Sequence, residues 1–267
     1  MDHSPISNAE VVASEQLCDD IFRITLMAPH IAREARPGQF VMVQTAPGMD
    51  PLLRRPFSIH QVNAAGQLQI LFKVVGRGTR LLAGMRPEDR LSVLGPLGRG
   101  FDLSGPEGGE GFCLVGGGMG IAPLLFLAQN LLLAGSPNRL LVLLGARTAA
   151  EVTGLEKDFT LPGVEVAIAT DDGSAGHHGL VTDLMRPRLA AGSNWQVYTC
   201  GPYPMMRGVA RICQAEGFRG QVSMETMMAC GMGACLGCAI SKPNDLNSYL
   251  HVCKDGPVFE MSEVVWR

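Results

Sequence analysis

The chain has 267 residues, 46% hydrophobic and 18% charged, with a formal net charge of −3. That is the composition of an ordinary globular protein of one or two domains, and the slight acidity argues against a nucleic-acid binder, which normally carries a basic face, although small basic patches such as "LLRRPF" remain. The longest apolar stretch, Pro123–Gly135, is broken by Gln129 and Asn130 and falls short of the ~20 residues of a membrane span.

The polar opening, "MDHSPISNAEVVASEQ", holds no apolar signal-peptide core. A cytoplasmic protein is therefore expected. Thiols stay reduced in that compartment, so clustered cysteines point to metal or redox chemistry rather than disulfides.

Over the first hundred residues the runs Ile21–Pro29, Gln39–Ala46, Phe57–Val62, Gly66–Val75 and Arg90–Gly95 read as short strands divided by Pro, Gly and Asn turns. In the fourth run Leu68, Ile70, Phe72 and Val74 alternate with more polar positions, which gives one buried and one open face. Five or more such strands predict a small antiparallel barrel. Two stretches in it suit a charged ligand. "RRPFS" (54–58) sets two arginines before a Pro-fixed strand start; its plainer reading is a solvated basic turn. "GRGTRLLAG" (76–84) offers a helix N-terminus to a phosphate; its plainer reading is an ordinary helix with Thr79 as N-cap.

Phe112–Val115 is an apolar run suited to a buried parallel strand. Gly116, Gly117, Gly118 and Gly120 follow as a turn, and a buried helix is expected over Ala122–Ala134 with Pro123 in its first turn. Strand, glycine turn and helix is how a dinucleotide pyrophosphate is held, although a tight strand–helix turn needs the same glycines. Further apolar strands at 140–147, 164–170 and 195–200, separated by helical stretches, predict an α/β unit with a parallel sheet. Residues at strand ends face the ligand crevice in such sheets, which assigns Arg147, Asp171, Asp172 and the turn at 200–206 to the site. Asp171 and Asp172 would repel the 2′-phosphate of NADP and suit a free 2′-hydroxyl, so NAD is the expected nucleotide. Arg147 is the nearby cation that opposes this reading.

Cys230, Cys235, Cys238 and Cys253 stand in a C-x4-C-x2-C…C pattern amid glycines and alanines. Three readings are open: disulfides, a zinc site and a 2Fe–2S cluster. Zinc sites usually pair two C-x2-C knuckles, and one is present. The spacing is that of plant-type 2Fe–2S sites, and small residues let backbone N–H groups wrap closely around cluster sulfides. Cys18, Cys113 and Cys213 read as small core residues.

Together these pieces resemble the ferredoxin–NADP reductase superfamily over nearly the whole chain. Arg55-Pro56-Phe57-Ser58 is similar to its flavin motif, with Phe for Tyr. Gly95–Phe101 resembles the barrel-ending motif, "GGGMGIAP" the nucleotide loop and Cys200-Gly201-Pro202 the turn after the fourth strand. The cysteine segment and "HHGLVTDLM" (177–185) resemble one subfamily, the electron-transfer subunits of NAD-dependent (class 1B) dihydroorotate dehydrogenases. The resemblance implies an α/β plus all-β chain: an FAD-binding β-barrel at 1–103, an NAD-binding α/β domain at 104–220 and a 2Fe–2S segment at 221–267.

It implies that Arg55 pairs with an FAD phosphate, that Phe57 packs on the flavin or ribityl part, and that Ser58 lies near the reactive edge. Phe72, Lys73 and Val74 complete the site, with Gly78 and Thr79 at the pyrophosphate. Cys200 would lie near the nicotinamide. A separate FMN-containing catalytic subunit is implied, two copies of each. No general acid or base is expected, since the cofactors carry the chemistry. The competing readings are a reductase subunit of another flavin/iron–sulfur complex (ferredoxin:NADP+ oxidoreductase, sulfide dehydrogenase, hydrogenase) and a non-enzymatic zinc-stabilised binding module.

Overall fold

In the computed structural model, which describes residues 6–105, 108–135, 138–189, 194–243 and 245–266, the alternating apolar positions of the first hundred residues close into a barrel. Its strands are β1 (Ile6–Cys18), β2 (Ile21–Met27), β3 (Phe40–Val43), β4 (Arg55–Val62), β5 (Gln67–Lys73) and β6 (Arg90–Leu97), in the order β1-β2-β5-β4-β3-β6. Closure comes from β6 pairing back on β1, antiparallel, from Ile6↔Leu94 to Glu10↔Arg90. Two short helices, α1 (Pro29–Glu34) and α2 (Arg77–Ala83), lie in the connections. Ile24, Leu26, Val41, Ile59, Leu68, Ile70 and Val93 fill the interior and are fully buried. Each contributes about 1.5–3 kcal/mol relative to exposure.

The strand missing from the sequence-based expectation is β1. Among its residues only Ala9 and Val11 are fully buried, so its alternation is too sparse to read. It is held instead by hydrogen-bonded neighbours on both sides, β2 and β6.

The second body is built on β7 (Gly111–Gly117), α3 (Leu124–Leu133), β8 (Leu140–Ala146), α4 (Ala149–Val152), β9 (Val164–Thr170), β10 (His177–His178), α5 (Met185–Arg188), β11 (Trp195–Cys200), α6 (Tyr203–Glu216) and β12 (Arg219–Ser223). The sheet runs β10-β9-β8-β7-β11-β12, every pair parallel. All of β8 is buried, as expected of a strand covered on both faces. The helical stretches flanking β9 are short. Thr153 and Gly154 follow α4 directly, and the chain continues through a 3-10 turn at Glu156–Phe159.

The cysteine-bearing stretch forms a hairpin of β13 (Ala239–Lys242) and β14 (Asp245–His251), antiparallel, with Ala239 opposite His251. The last strand, β15 (Val258–Glu260), stands beside β12 at the edge of the large sheet. The chain thus divides into two units, Met1–Gly100 with Glu225–Val258, and Phe101–Met224 with Phe259–Arg267. Within the first, Arg99 N–H donates to Gly256 O and ties the hairpin segment to the end of the barrel. Among the described residues no helix is long and apolar enough to cross a membrane.

Packing in the second unit is tight where the turn after β7 meets the end of β11. A Cβ on Gly120 would stand 2.2 Å from Cys200 O, and backbone cannot yield as a flexible side chain does. Gly120→Ala is expected to destabilise the protein by about 1–3 kcal/mol, read as a lower thermal midpoint by circular dichroism. An unchanged midpoint would contradict this packing.

Candidate cofactor and cluster sites

β3 positions the first site. It pairs with β4 through Val43↔Arg55, Met42↔Pro56, Val41↔Phe57 and Phe40↔Ser58. The two arginines at the start of β4 divide their work. Arg54 donates to Ser92 O (2.7 Å) and Ser92 Oγ (2.9 Å) and stitches β4 to β6. Arg55 Nη1 donates to Leu53 O at 2.6 Å, while its Nε lies 3.5 Å from where a Cβ on Gly78 would be. Arg55 and the first turn of α2 are thus brought together. Thr79 is not the N-cap. Gly76 is, and Thr79 sits at N3, where its Oγ1 accepts from Gly76 N (3.1 Å) and Val75 N (3.0 Å).

At the end of β5, Phe72 packs on Phe57 with ring centroids 5.6 Å apart and on Phe22 at 6.0 Å. Lys73, on the opposite face, pairs with Asp20 at 3.0 Å. Val74 N–H donates to Asp20 O at 2.7 Å.

Sequence reasoning missed Thr45. It is 1% exposed, its Oγ1 has no hydrogen-bond partner, and that atom lies 3.1 Å from a Cβ placed on Gly78. A buried hydroxyl without a partner is costly. Together with the close approach of Gly78, where a Cβ would crowd Thr45 and Arg55, and the adjacent guanidinium, it fits a chain made to hold an anionic ligand there. No motif marks Thr45, so only the packing reveals it.

In the second unit the glycine turn and the Cys200-Gly201-Pro202 turn interlock. β11 and β7 end in register, Cys200 opposite Gly116. A Cβ on Gly117 would meet Met205 Sδ at 2.4 Å and Pro202 Cδ at 3.2 Å. Gly116, Gly117, Gly118 and Gly120 are therefore brought together with Gly201 and Pro202, while the side chain of Cys200 is fully buried. A 3-10 turn, Gly118–Ile121, separates the glycines from α3.

At the neighbouring strand ends, Asp171 N–H donates to Ala146 O (3.1 Å) and Asp172 N–H to Arg147 O (3.2 Å). Asp172 Oδ1 accepts from Ser174 Oγ (2.6 Å) and Ser174 N (3.0 Å). These bonds, the hydroxyl's first, hold its carboxyl below the usual range. Arg147 is engaged by Glu151, a residue that sequence reasoning did not single out. A Glu four residues on becomes a partner only once α4 sets the turn.

In the first unit the cysteine loop wraps its sulfurs with backbone N–H groups. Met232 N (3.5 Å) and Cys235 N (3.4 Å) approach Cys230 Sγ; Gly233 N approaches Cys253 Sγ (3.1 Å); Cys253 N approaches Cys238 Sγ (3.4 Å). Burial raises the Cys230 thiol, but the N–H groups of Met232 and Cys235 outweigh it and bring it to about 6. Burial, then Cys238, push Cys253 up to about 12.

Cys230 interacts with Cys235, and Cys238 Sγ lies 3.2 Å from Cys253 Sγ. Among the described residues no three His, Cys, Asp or Glu side chains gather as around one metal ion. All four thiols are free. Cys238 and Cys253 are buried and Cys235 is exposed, in a segment that also exposes Met227, Met232, Leu236 and Tyr249.

Comparison with known proteins covers the three stretches that carry these residues. The oxidoreductase FAD-binding domain model matches residues 8–101, the oxidoreductase NAD-binding domain model 114–211, and the iron–sulfur cluster binding domain model of dihydroorotate dehydrogenase B 225–265. The chain thus has FAD-binding, NAD-binding and iron–sulfur-binding parts and is an oxidoreductase of ferredoxin reductase-like fold. Among solved structures it resembles the NADH-dependent reduced ferredoxin-NADP oxidoreductase, with TM-score 0.81 and 29% identity over 97% of this chain and 90% of that one. A ferredoxin NADP+ reductase from Neisseria gonorrhoeae shares the fold, with TM-score 0.68 and 15% identity over 82% of this chain and 99% of that one.

The dihydroorotate dehydrogenase B (NAD(+)) electron transfer subunit of Desulforamulus reducens is 41% identical over 99% of this chain and 100% of its own length. That of Geobacillus thermodenitrificans is 41% identical over 96% of both. Matched from end to end at this identity, the chain belongs to the family of dihydroorotate dehydrogenase B electron transfer subunits.

Proposed function

We propose that this chain carries electrons from an FMN-bearing dihydroorotate dehydrogenase catalytic subunit, through a 2Fe–2S cluster and FAD, to NAD+, in de novo pyrimidine (UMP) biosynthesis in the cytoplasm. The observation that carries the reading is the cysteine loop, whose backbone N–H groups close on the sulfurs of Cys230, Cys238 and Cys253, inside a segment matched by the family's cluster-binding model. The C-x4-C-x2-C…C spacing is that of plant-type 2Fe–2S sites, whereas zinc sites usually pair two C-x2-C knuckles. Bound FAD supplies the exchange between a nicotinamide's two electrons and a cluster's one. The work divides among three modules, 1–103, 104–220 and 221–267.

The residues of this chain bind and orient. Arg55 offers its guanidinium to an FAD phosphate, and Gly78 and Thr79 let the backbone meet the pyrophosphate. Phe57 and Phe72 form an apolar wall, Pro56 and Ser58 fix the strand start beside it, and Lys73 and Val74 close the edge. Gly116, Gly117, Gly118, Gly120 and the Cys200-Gly201-Pro202 turn receive the NAD pyrophosphate and nicotinamide, and Asp172 the adenosine ribose. No side chain need act as acid or base.

The exposed Met227, Met232, Leu236 and Tyr249, in the same segment as the exposed Cys235, suit burial against the catalytic subunit, since large apolar side chains in one exposed segment mark contact surfaces. The assembly is two copies of each subunit. The likeness to the NADH-dependent ferredoxin-NADP oxidoreductase structure favours a second reading, a reductase subunit of another flavin/iron–sulfur complex. Co-expression with each candidate partner, followed by size-exclusion chromatography, separates the two. The dihydroorotate reading expects co-elution with the FMN subunit at a 2:2 mass, and a chain that stays monomeric beside that subunit at micromolar concentration refutes it.

Cys235→Ser is expected to remove cluster iron and acid-labile sulfide while leaving NADH-dependent reduction of an artificial dye largely intact. Stoichiometric zinc without sulfide in the unsubstituted protein would defeat the cluster reading.

Arg55→Ala is expected to weaken FAD about 10- to 100-fold, the worth of a charge-assisted hydrogen bond of ~1.5–3 kcal/mol. Fluorescence titration of the apoprotein reads this directly, and wild-type affinity in the variant would remove Arg55 from the site.

A further inference from the structure

We propose that Glu151 is the residue by which this chain rejects NADP(H), acting by occupying the guanidinium that stands at the ends of β8 and β9. The inference rests on the reading of the Phe101–Met224 unit as the nucleotide domain.

In open α/β sheets, ligands bind beyond the carboxyl ends of the strands, and the 2′-phosphate of NADP is met there by Arg. β8 and β9 are parallel neighbours that end together, Ala146 opposite Thr170. Their outgoing segments, 145–152 and 170–176, carry one cation, Arg147, against three carboxylates, Glu151, Asp171 and Asp172. The local net charge is negative even with Arg147 counted.

Arg147 is also already committed. Glu151 Oε1 accepts from its Nε at 3.1 Å and from its Nη2, and Oε2 accepts from Nε at 3.4 Å. Oε2 accepts as well from the backbone N–H of Arg147 at 3.1 Å, so the carboxylate is anchored to the main chain and does not swing away. Its side chain is 14% exposed, while that of Arg147 is 70% exposed, so the pair is held by the geometry of its several bonds rather than by burial. The acidic wall opposite is fixed too. Ser174 Oγ accepts from Ala149 N at 2.7 Å and donates to Asp172 Oδ1 at 2.6 Å, joining the start of α4 to the loop after β9.

A 2′-phosphate entering this corner must take the guanidinium from Glu151. That leaves a carboxylate unpaired beside a phosphate, a like-charge contact. A 2′-hydroxyl makes no such demand and finds acceptors in the aspartates. Asp171 and Asp172 repel the wrong nucleotide; Glu151 withholds the cation that would offset them.

Glu151→Gln separates this role from a structural one. The amide oxygen still accepts from Arg147 N–H, so the local cap survives, while the charge that holds the guanidinium is lost. Two readouts apply to the full chain: calorimetric binding of 2′,5′-ADP against 5′-AMP, and the NADPH/NADH ratio of kcat/KM in dye reduction. Both ratios are expected to shift toward the 2′-phosphorylated ligand by about tenfold. The shift is expected to vanish in Arg147→Gln/Glu151→Gln, because it requires the released guanidinium. Unchanged discrimination in Glu151→Gln, with 5′-AMP and NADH still bound, overturns the assignment alone; so does a gain that persists in the double variant. If the unsubstituted chain takes neither 5′-AMP nor NADH, the nucleotide reading falls and the assignment with it.

Discussion

A Cβ on Gly231, which has φ +74°, would lie 2.5 Å from Met42 Cγ, so the cysteine loop is pressed directly onto β3 with no room for a side chain between them. The same strand pairs along its length with Arg55–Ser58. One four-residue strand therefore supports the flavin motif by hydrogen bonds and the sulfur loop by van der Waals contact. Glycine is required at 231 twice over, by the left-handed backbone and by the contact. The spacing of Arg55–Ser58 and the cysteine loop rests in part on this contact, and β3, fully buried, stands between them. Arg54 reinforces the frame from the other side by tying the start of β4 to Ser92 of β6.

Much of this was legible beforehand because it follows from spacing. Alternation in Leu68–Ile70–Phe72 marked β5, unbroken apolar runs marked β7, β8 and β11, and the C-x4-C-x2-C…C pattern marked the sulfur loop. What was not legible depends on contacts between distant residues. β1 has too few inward side chains to show its period. Thr79 looks like an N-cap, but the chain turns three residues earlier and Gly76 takes that place. The contact of the cysteine loop with the barrel rests on a glycine meeting a methionine 189 positions away, and no local pattern encodes that.

The polar side of the nucleotide corner shows the same limit. Arg147 read from sequence is a cation at a strand end and argues for a phosphate. Once Glu151 is seen to hold it, the same residue argues for the opposite ligand. A charge counted along the chain carries little meaning until its partner is known, because a guanidinium held by a carboxylate no longer acts as a free cation.

The exposure of Cys235 has a consequence for how the protein is made. Cys238 and Cys253 are shielded, whereas Cys235 stands in solvent among apolar neighbours that water covers poorly. Oxidation of cysteine follows exposure and thiolate character. Exposure singles out Cys235 and thiolate character Cys230, so dioxygen or peroxide meets the loop at this end before it meets the buried Cys238 and Cys253. Holding the thiol under anaerobic conditions, or covering it promptly during synthesis, is thus a condition for obtaining the chain in working form.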